Sequence, residues 1–509
     1  MDSRLWHPLK GIPIALIAVA LLVPTERGRA GDWTQYRGPN HDGVSTDRIA
    51  TNWLSGGPPR LWAVPLKGGY SSFTVSQGRA FTQVVGSTVS PGEEVCIALD
   101  AEDGAELWAT RVRDSGMNGS WQPPYSTPTV DGNRVYVLST DLALFCLDAV
   151  TGQVIWQTDL IAQYGGVKPG YGNAASPAVD GDFVFVNCNA QAGDRLLAFR
   201  KADGSLAWKV AAGPPDYATP IAAAILGVRQ IIFNTKSELV SIAPESGEVL
   251  WSYGMGRVEC FATPVAAGDI VFAAFRMGGA SALRITHSDD GFRATQIWGD
   301  ASRINPWSIE WSTPVCHDGY LYGLFDSGYL LKCVELTTGD VKWSRTGFDG
   351  CRGGILVVDG HLLILTDRGR LVLVEPNPAA YTELARFQAL TGDCYNHPAI
   401  YNGRIYARST KEAVCFDVAV KPLKLQPPSR QTDGSFQLLV TDAAGNGLPL
   451  DRLGQVEVLA TPDPGLSLTN WAKLTNTTVL TNGALQVNDP EGAQLRQRFF
   501  MGVERPQRQ

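Results

Sequence analysis

An eleven-residue pattern returns five times along the chain and constrains its fold more than any other feature. It reads ALDAEDGAELW from Ala98 to Trp108, CLDAVTGQVIW from Cys146 to Trp156 and AFRKADGSLAW from Ala198 to Trp208. Two further copies are SIAPESGEVLW from Ser241 to Trp251 and CVELTTGDVKW from Cys333 to Trp343. In every copy a turn glycine (Gly104, Gly152, Gly204, Gly247, Gly339) stands four residues before the tryptophan. Trp62, Trp298 and Phe387 extend the series to eight marks, separated by 46, 48, 52, 43, 47, 45 and 44 residues. A period in that range, filled with short alternating runs, is the spacing of one four-stranded propeller blade per repeat.

Each repeat has the same interior plan. It opens on a Ser/Thr-Pro step (Thr127-Pro128, Ser176-Pro177, Thr219-Pro220, Thr263-Pro264, Thr313-Pro314), with His397-Pro398 in the last. A pair such as Asp131-Gly132 or Asn402-Gly403 then supplies the positive φ of a tight hairpin. An alternating strand returns, as in RVYVLST from Arg134, and a second hairpin ends on the tryptophan. Burying one indole takes about 150–250 Å² out of water, an upper-bound gain of about 4–6 kcal/mol. Trp62, Trp108, Trp156, Trp208, Trp251, Trp298, Trp343 and Phe387 are therefore expected to dock between neighbouring blades. The eighth repeat stops near Val418 without a closing strand, and Arg60 to Val64 around Trp62 is available to supply it. Pairing first with last closes the ring and protects its edges. The expectation is an all-β, eight-bladed β-propeller over 31–420. Seven blades is the alternative, since Gly291 to Trp298 is a weak copy and Phe387 replaces a tryptophan.

The 54 Gly and 31 Pro, without a collagen period, agree with a turn-rich all-β chain. Forty-three Lys and Arg against 50 Asp and Glu give a net charge of −7, which excludes a nucleic-acid sleeve. Arg4 and Lys10, the apolar run Ile12 to Val23, and small residues at Gly28 and Ala30 read as a signal peptide over 1–30. Twelve residues reach about 18 Å as a helix, short of a hydrocarbon core of about 30 Å. The mature chain is expected to be periplasmic or secreted, monomeric and without a transmembrane segment. No cysteine closely follows the apolar run, so a lipid-modified N-terminus is not expected. Cys96, Cys146, Cys333 and Cys415 recur on one strand face and read as buried core residues rather than a disulfide framework. Lys421 to Arg430 reads as a Pro-rich linker, and 431–509 as a small C-terminal β domain.

The ALDAxTGxxxW repeat resembles the tryptophan-docking motif of the pyrroloquinoline-quinone (PQQ)-type β-propeller superfamily. That superfamily takes in quinoprotein alcohol dehydrogenases and the propeller lipoprotein of outer-membrane protein assembly. The lead-in WTQYRGPNHDGVS from Trp33 is similar to the start of exported bacterial proteins of this type. The resemblance covers about Asp32 to Val418 and implies a fold, because docking tryptophans serve packing. Its dehydrogenase branch uses an Asp base, a calcium held by Glu, Asn or Asp, an adjacent Cys-Cys disulfide and a Trp on the cofactor. Here no two of the nine cysteines are adjacent and no C-x-x-C-H haem signature occurs. No cofactor is therefore expected; PQQ with calcium, using Asp216, Glu259 or Glu310, is the alternative.

The loops that enter each blade before the Ser/Thr-Pro step should converge near the axis. They carry Tyr70, Trp121, Tyr125, Tyr171, Asn173, Asp216, Tyr217, Arg257, Glu259, Trp307, Glu310, Trp311, Arg352, Asp393, Asn396 and His397. Aromatics mixed with charges of both signs suit a sugar, a cofactor or a peptide. The six histidines form no metal-spaced pair, so no zinc site is expected. The reading is an exported binding or scaffold propeller that presents this face to exported proteins, without catalysis. A PQQ/calcium oxidoreductase and an extracellular glycan-binding module are the alternatives.

Overall fold

The computed structural model describes residues 31–53, 55–86, 93–114, 123–188, 190, 193–214, 216–256, 259, 261–276, 279–300, 307–309, 311–325, 329–443, 445–448, 450–495 and 498–504. Each repeat folds as an antiparallel sheet whose strands lie in space in their sequence order. The first runs Thr74–Ser76, Arg79–Val85, Glu93–Asp100 and Glu106–Asp114. Six more follow, opening at Thr129, Ala178, Ile221, Val265, Val315 and Gly354. The eighth takes Ala399–Tyr401, Arg404–Arg408 and Glu412–Asp417 from the end of the repeats and Arg60–Pro65 from their beginning. In that pairing Trp62 faces Cys415 and Ala63 faces Val414. Among the described residues, the unit Arg29–Ala419 thus holds eight such sheets.

The middle strands of each sheet are buried on both faces, so they read as continuous apolar runs. Ala143–Asp148, for example, is buried from Ala143 to Leu147. The outermost strands alternate instead, as in Arg60–Pro65, where Trp62 turns inward between exposed Leu61 and Ala63.

Each indole reaches across to the sheet that follows. The Nε1–H of Trp62 donates to the carbonyl of Ala101 (3.2 Å), that of Trp108 to Ala149 (3.1 Å) and that of Trp156 to Lys201 (3.1 Å). Trp208 donates to Pro244 (2.7 Å), Trp298 to Leu336 (2.7 Å) and Trp343 to Asn377 (2.8 Å). The turn glycine of the receiving sheet lies flat beneath the ring. A Cβ on Gly104 would stand 2.8 Å from Trp62, and one on Gly152 or Gly204 would stand 2.7 Å from Trp108 or Trp156. The glycine of each copy therefore serves the tryptophan of the preceding copy. Two sheets depart from this plan. The second hairpin of the fifth sheet has ten-residue arms, Gly279–Ser288 and Gly291–Asp300, and Trp251 donates within its own sheet to Gln230 Oε1 (2.8 Å). Phe387 has no donor and packs on Gly57, where a Cβ would approach to 2.5 Å.

The lead-in from Trp33 is a plug across the ring. Trp33 exchanges backbone hydrogen bonds with Val75 of the first sheet, and Thr34 O accepts from Val130 of the second. The Gln35 amide bonds both backbone groups of Val179 in the third sheet, at 2.8 and 3.1 Å. Arg37 donates to the carbonyls of Thr313 (2.8 Å) and Pro314 (2.7 Å), which lead into the sixth sheet. Val44–Ser45 then adds a parallel strand to the seventh, beside Val357 and Val358. All eight described cysteines are free thiols, and only Cys316 is less than fully buried.

In the unit containing Val420–Gln509 the expected linker proves to be part of a sheet. Leu423–Leu425 and Ser429–Arg430 both pair with Phe436–Asp442, which pairs in turn with Leu485–Asp489. Leu423 and Leu425 pack on a core of Leu438, Val440, Val458, Val487 and Phe500, so their apolar alternation outweighs the neighbouring prolines. A second sheet centres on Val456–Thr461, between Ala472–Lys473 and Phe499–Glu504.

Candidate functional site

Four residues before the first strand of seven sheets stand Tyr70, Tyr125, Ala174, Tyr217, Phe261, Trp311 and Tyr395. Cys351 holds the corresponding place in the seventh sheet, whose first strand starts one residue earlier at Gly354. These positions converge because a belt of hydroxyls beneath them fixes the spacing of the sheets. The backbone N–H of Ser72 donates to Thr127 Oγ1 (3.0 Å), that of Thr127 to Ser176 Oγ (2.9 Å) and that of Ser176 to Thr219 Oγ1 (2.9 Å). Thr263 donates likewise to Thr313 Oγ1 (2.9 Å), and His397 closes the belt on Ser72 Oγ (3.0 Å). The Ser/Thr-Pro step thus supplies an acceptor hydroxyl, followed by a residue that needs no partner for an N–H.

Above the belt the aromatic side chains stack in series. Ring centroids lie 4.7 Å apart for Tyr395 and Tyr70, 5.8 Å for Tyr70 and Tyr125, 4.6 Å for Tyr217 and Phe261, and 4.4 Å for Phe261 and Trp311. In the seventh sheet the Arg352 guanidinium takes the ring's place, 5.3 Å from the Trp311 centroid and 4.8 Å from that of Tyr395. It also donates to Tyr395 Oη at 2.9 Å. Together they wall a cavity of about 100 Å³ that opens to solvent, with Tyr36, Asn396 and His397 among its lining.

Behind the lining residue His397 lies a buried cation. Arg37 comes in from the plug, and burial lowers its guanidinium only to about 10, so it stays protonated at neutral pH. Its Nη1 lies 3.4 Å from His397 Nε2. Burial, reinforced by the Arg37 charge, holds His397 well below its usual value and keeps it neutral. His397 Nδ1, both amide atoms of Asn396 and Tyr125 Oη are buried without a partner among the described residues. Burial raises the Tyr70 and Tyr217 hydroxyls to about 12, so both remain protonated donors.

Of the residues expected on this face, Tyr70, Tyr125, Tyr171, Tyr217, Trp311, Arg352, Asn396 and His397 line the cavity. Asn173, Asp216 and Glu259 do not. Asn173 is wholly buried, its amide closing a turn on the backbone of Ala175. Asp216 is wholly buried and paired with Lys236 (3.2 Å), and Glu259 pairs with Arg276 (2.8 Å) away from the lining. Trp121, Arg257 and Glu310 lie outside the described residues. Sequence reasoning missed Tyr36, Phe261 and Tyr395 as ring members. The last two were signalled by their fixed offset from each first strand.

Among the described residues no Asp or Glu lines the cavity, and no three metal-ligating side chains cluster. Calcium takes six to eight oxygen ligands, mainly carboxylates and carbonyls. Phenols, two hydroxyls, a single side-chain amide, an imidazole and a guanidinium fall short of that set. The described lining therefore does not fit a quinone held through calcium.

Comparison with known proteins places this geometry. A family model described as outer membrane protein assembly factor BamB matches residues 59–142 and 91–305. The BamB of Yersinia pestis is 24% identical over 311 residues, covering 58% of this chain and 74% of its own length. That of Moranella endobia is 25% identical over 292 residues, covering 55% of this chain and 59% of its own. The crystal structure of BamB from Moraxella catarrhalis superposes with a TM-score of 0.51 at 14% identity, over 70% of this chain and 97% of that one. The chain has a propeller fold and resembles BamB. A quinohemoprotein alcohol dehydrogenase from Comamonas testosteroni shares the fold, with a TM-score of 0.56 at 15% identity over 77% of this chain and 81% of its own. Likeness at that level is one of fold, not of chemistry. No helix among the described residues is long and apolar enough to cross a membrane.

Proposed function

We propose that this protein is an exported, eight-bladed propeller that binds protein partners at its axial face and works as a scaffold or assembly factor. The observation that carries this reading is the axial ring. Tyr, Trp and Arg are the residue types that dominate partner-binding hot spots, and here six of the eight sheets contribute one to the ring around a single opening. The match to assembly factors supports the same role. Trp62, Trp108, Trp156, Trp208, Trp251, Trp298, Trp343 and Phe387 are proposed as the residues that dock each blade on the next. A periplasmic or secreted location rests on the leader read over 1–30, which lies outside the described residues.

Two measurements test this reading. Tagged wild-type protein and its Trp311→Ala and Arg352→Ala variants are used to capture partners from the cell envelope. Loss of the same partner by both variants, by about tenfold or more, is the expected result, and full retention by both would overturn the axial assignment. Titration with PQQ and calcium, read as dye reduction by simple alcohols, is expected to give no turnover. Saturable turnover would establish the oxidoreductase alternative instead. The glycan alternative would appear as oligosaccharide binding lost in Trp311→Ala.

A further inference from the structure

The axial ring is complete except at one place. Stacking runs without a break from Tyr125 through Tyr70, Tyr395, Arg352, Trp311 and Phe261 to Tyr217. Between Tyr217 and Tyr125 the repeat plan calls for another ring, and the third sheet supplies Ala174, a half-buried methyl that lines the cavity. Tyr171, from the same lead-in, tilts against Tyr217 with ring centroids 5.9 Å apart, and among the described residues no ring contact joins Tyr125 to either of them. One face of Tyr125 is covered by Tyr70, whose plane is only 7° from its own.

We propose that the gap at Ala174 is a receptor slot for a phenol-like ring, meaning a flat aromatic ring that bears a hydroxyl. The ring comes from a free small ligand or from a tyrosine side chain of a partner. The inference rests on reading the axial face as the binding face, and it names what that face takes in. The missing side chain defines the shape, because six of the eight equivalent positions are filled by Tyr, Phe or Trp. The axial cavity as a whole, of which Ala174 is one wall, holds about 100 Å³, of the order of the roughly 150 Å³ that admits benzene in an apolar core. The polar walls define the substituent. Tyr125 Oη and the Asn396 amide both donate and accept, and these atoms and His397 Nδ1 are buried without partners among the described residues. A phenol hydroxyl, which also donates and accepts, answers them where a plain hydrocarbon ring does not.

The test uses the full chain with two probes, p-cresol for the free ring and N-acetyl-tyrosinamide for the side chain. Binding is followed by saturation-transfer NMR and calorimetry. p-Cresol should bind with a dissociation constant in the millimolar range or tighter, and 4-methylcyclohexanol, which is not flat, about tenfold more weakly. Ala174→Phe fills the slot with the chain's own ring and should weaken both probes by about tenfold or more with the thermal midpoint kept. Should Ala174→Phe fail to fold, Ala174→Leu is expected to weaken them less but measurably. No binding of either probe at about 10 mM, or binding unchanged by filling the slot, overturns the proposal. If partner capture persists while both probes fail, the slot is wrong and the axial reading stands. If the probes bind but capture ignores Trp311→Ala and Arg352→Ala, the slot stands and the partner reading falls.

Discussion

Replacing Gly152 by alanine tests whether the turn glycines are there for the indoles. Gly152 has φ +73°, and an added Cβ would stand 2.7 Å from both the Trp108 ring and Thr110 Oγ1. Neither neighbour can retreat cheaply. The Trp108 indole is held by its bond to Ala149 O (3.1 Å), and Thr110 Oγ1 donates to Gly152 O at 2.6 Å. Gly132 is the internal control, with φ +57° and nothing within 4 Å of its Cβ direction. Alanine in the left-handed region costs about 1–2 kcal/mol at either site. Overpacking adds about 1–3 kcal/mol at Gly152 alone. Gly152→Ala should therefore cost about 2–5 kcal/mol and Gly132→Ala about 1–2. Urea unfolding of the full chain, followed by circular dichroism and by tryptophan fluorescence, reads the two midpoints at a common slope. Equal midpoint shifts for the two variants would refute the docking argument.

Three further outcomes follow from the geometry. Glu94 is buried and accepts from Thr140 N (2.9 Å) and Thr140 Oγ1 (3.2 Å), yet burial raises its carboxyl to about 7. Its folded value lies above its unfolded one, so its contribution is complete below about pH 4.5 and is lost as pH rises through 7. That amounts to on the order of 3 kcal/mol. Glu94→Gln should flatten this dependence in a pH series of thermal midpoints, and an unchanged slope would contradict it. Trp208→Phe leaves Pro244 O without its indole donor and should cost about 1–3 kcal/mol. Trp251→Phe should cost less, because Gln230 Oε1 keeps its bond from Ser241 Oγ (2.6 Å); the reverse order in urea unfolding would contradict the two hydrogen-bond assignments. Arg37→Met strips donors from Thr313 O and Pro314 O, and should cost about 2–4 kcal/mol and open the plug to limited proteolysis between residues 33 and 45. A variant as protease-resistant as the wild type would contradict the plug.

Much of the propeller was legible because its turn and its tryptophan recur at a visible period, and because an orphan Trp62 matched a repeat that lacked its closing strand. The direction of docking was not legible. Gly152 and Trp156 share one copy of the pattern, but the glycine carries Trp108 of the copy before, which spacing alone does not distinguish. The plug was hidden because it has no period and bonds mostly to backbone, as Gln35 does to Val179. At the axial face, charge drew the eye to Asp216 and Glu259, whose cations Lys236 and Arg276 already answer them. The better signal was the offset shared by Tyr70, Tyr125, Tyr217, Phe261, Trp311 and Tyr395. In the C-terminal unit, prolines on either side masked the alternation of Leu423 and Leu425, which is what places them in a sheet.

The most direct measurement is site-specific photo-crosslinking in the cell envelope. A photoreactive side chain is placed at Phe261, in the axial ring, and in a second protein at Ile155, exposed on an outermost strand. A binding face at the axis predicts a discrete adduct with an exported protein from Phe261 and none from Ile155. Adducts of equal yield at the two positions, or from Ile155 alone, would contradict it.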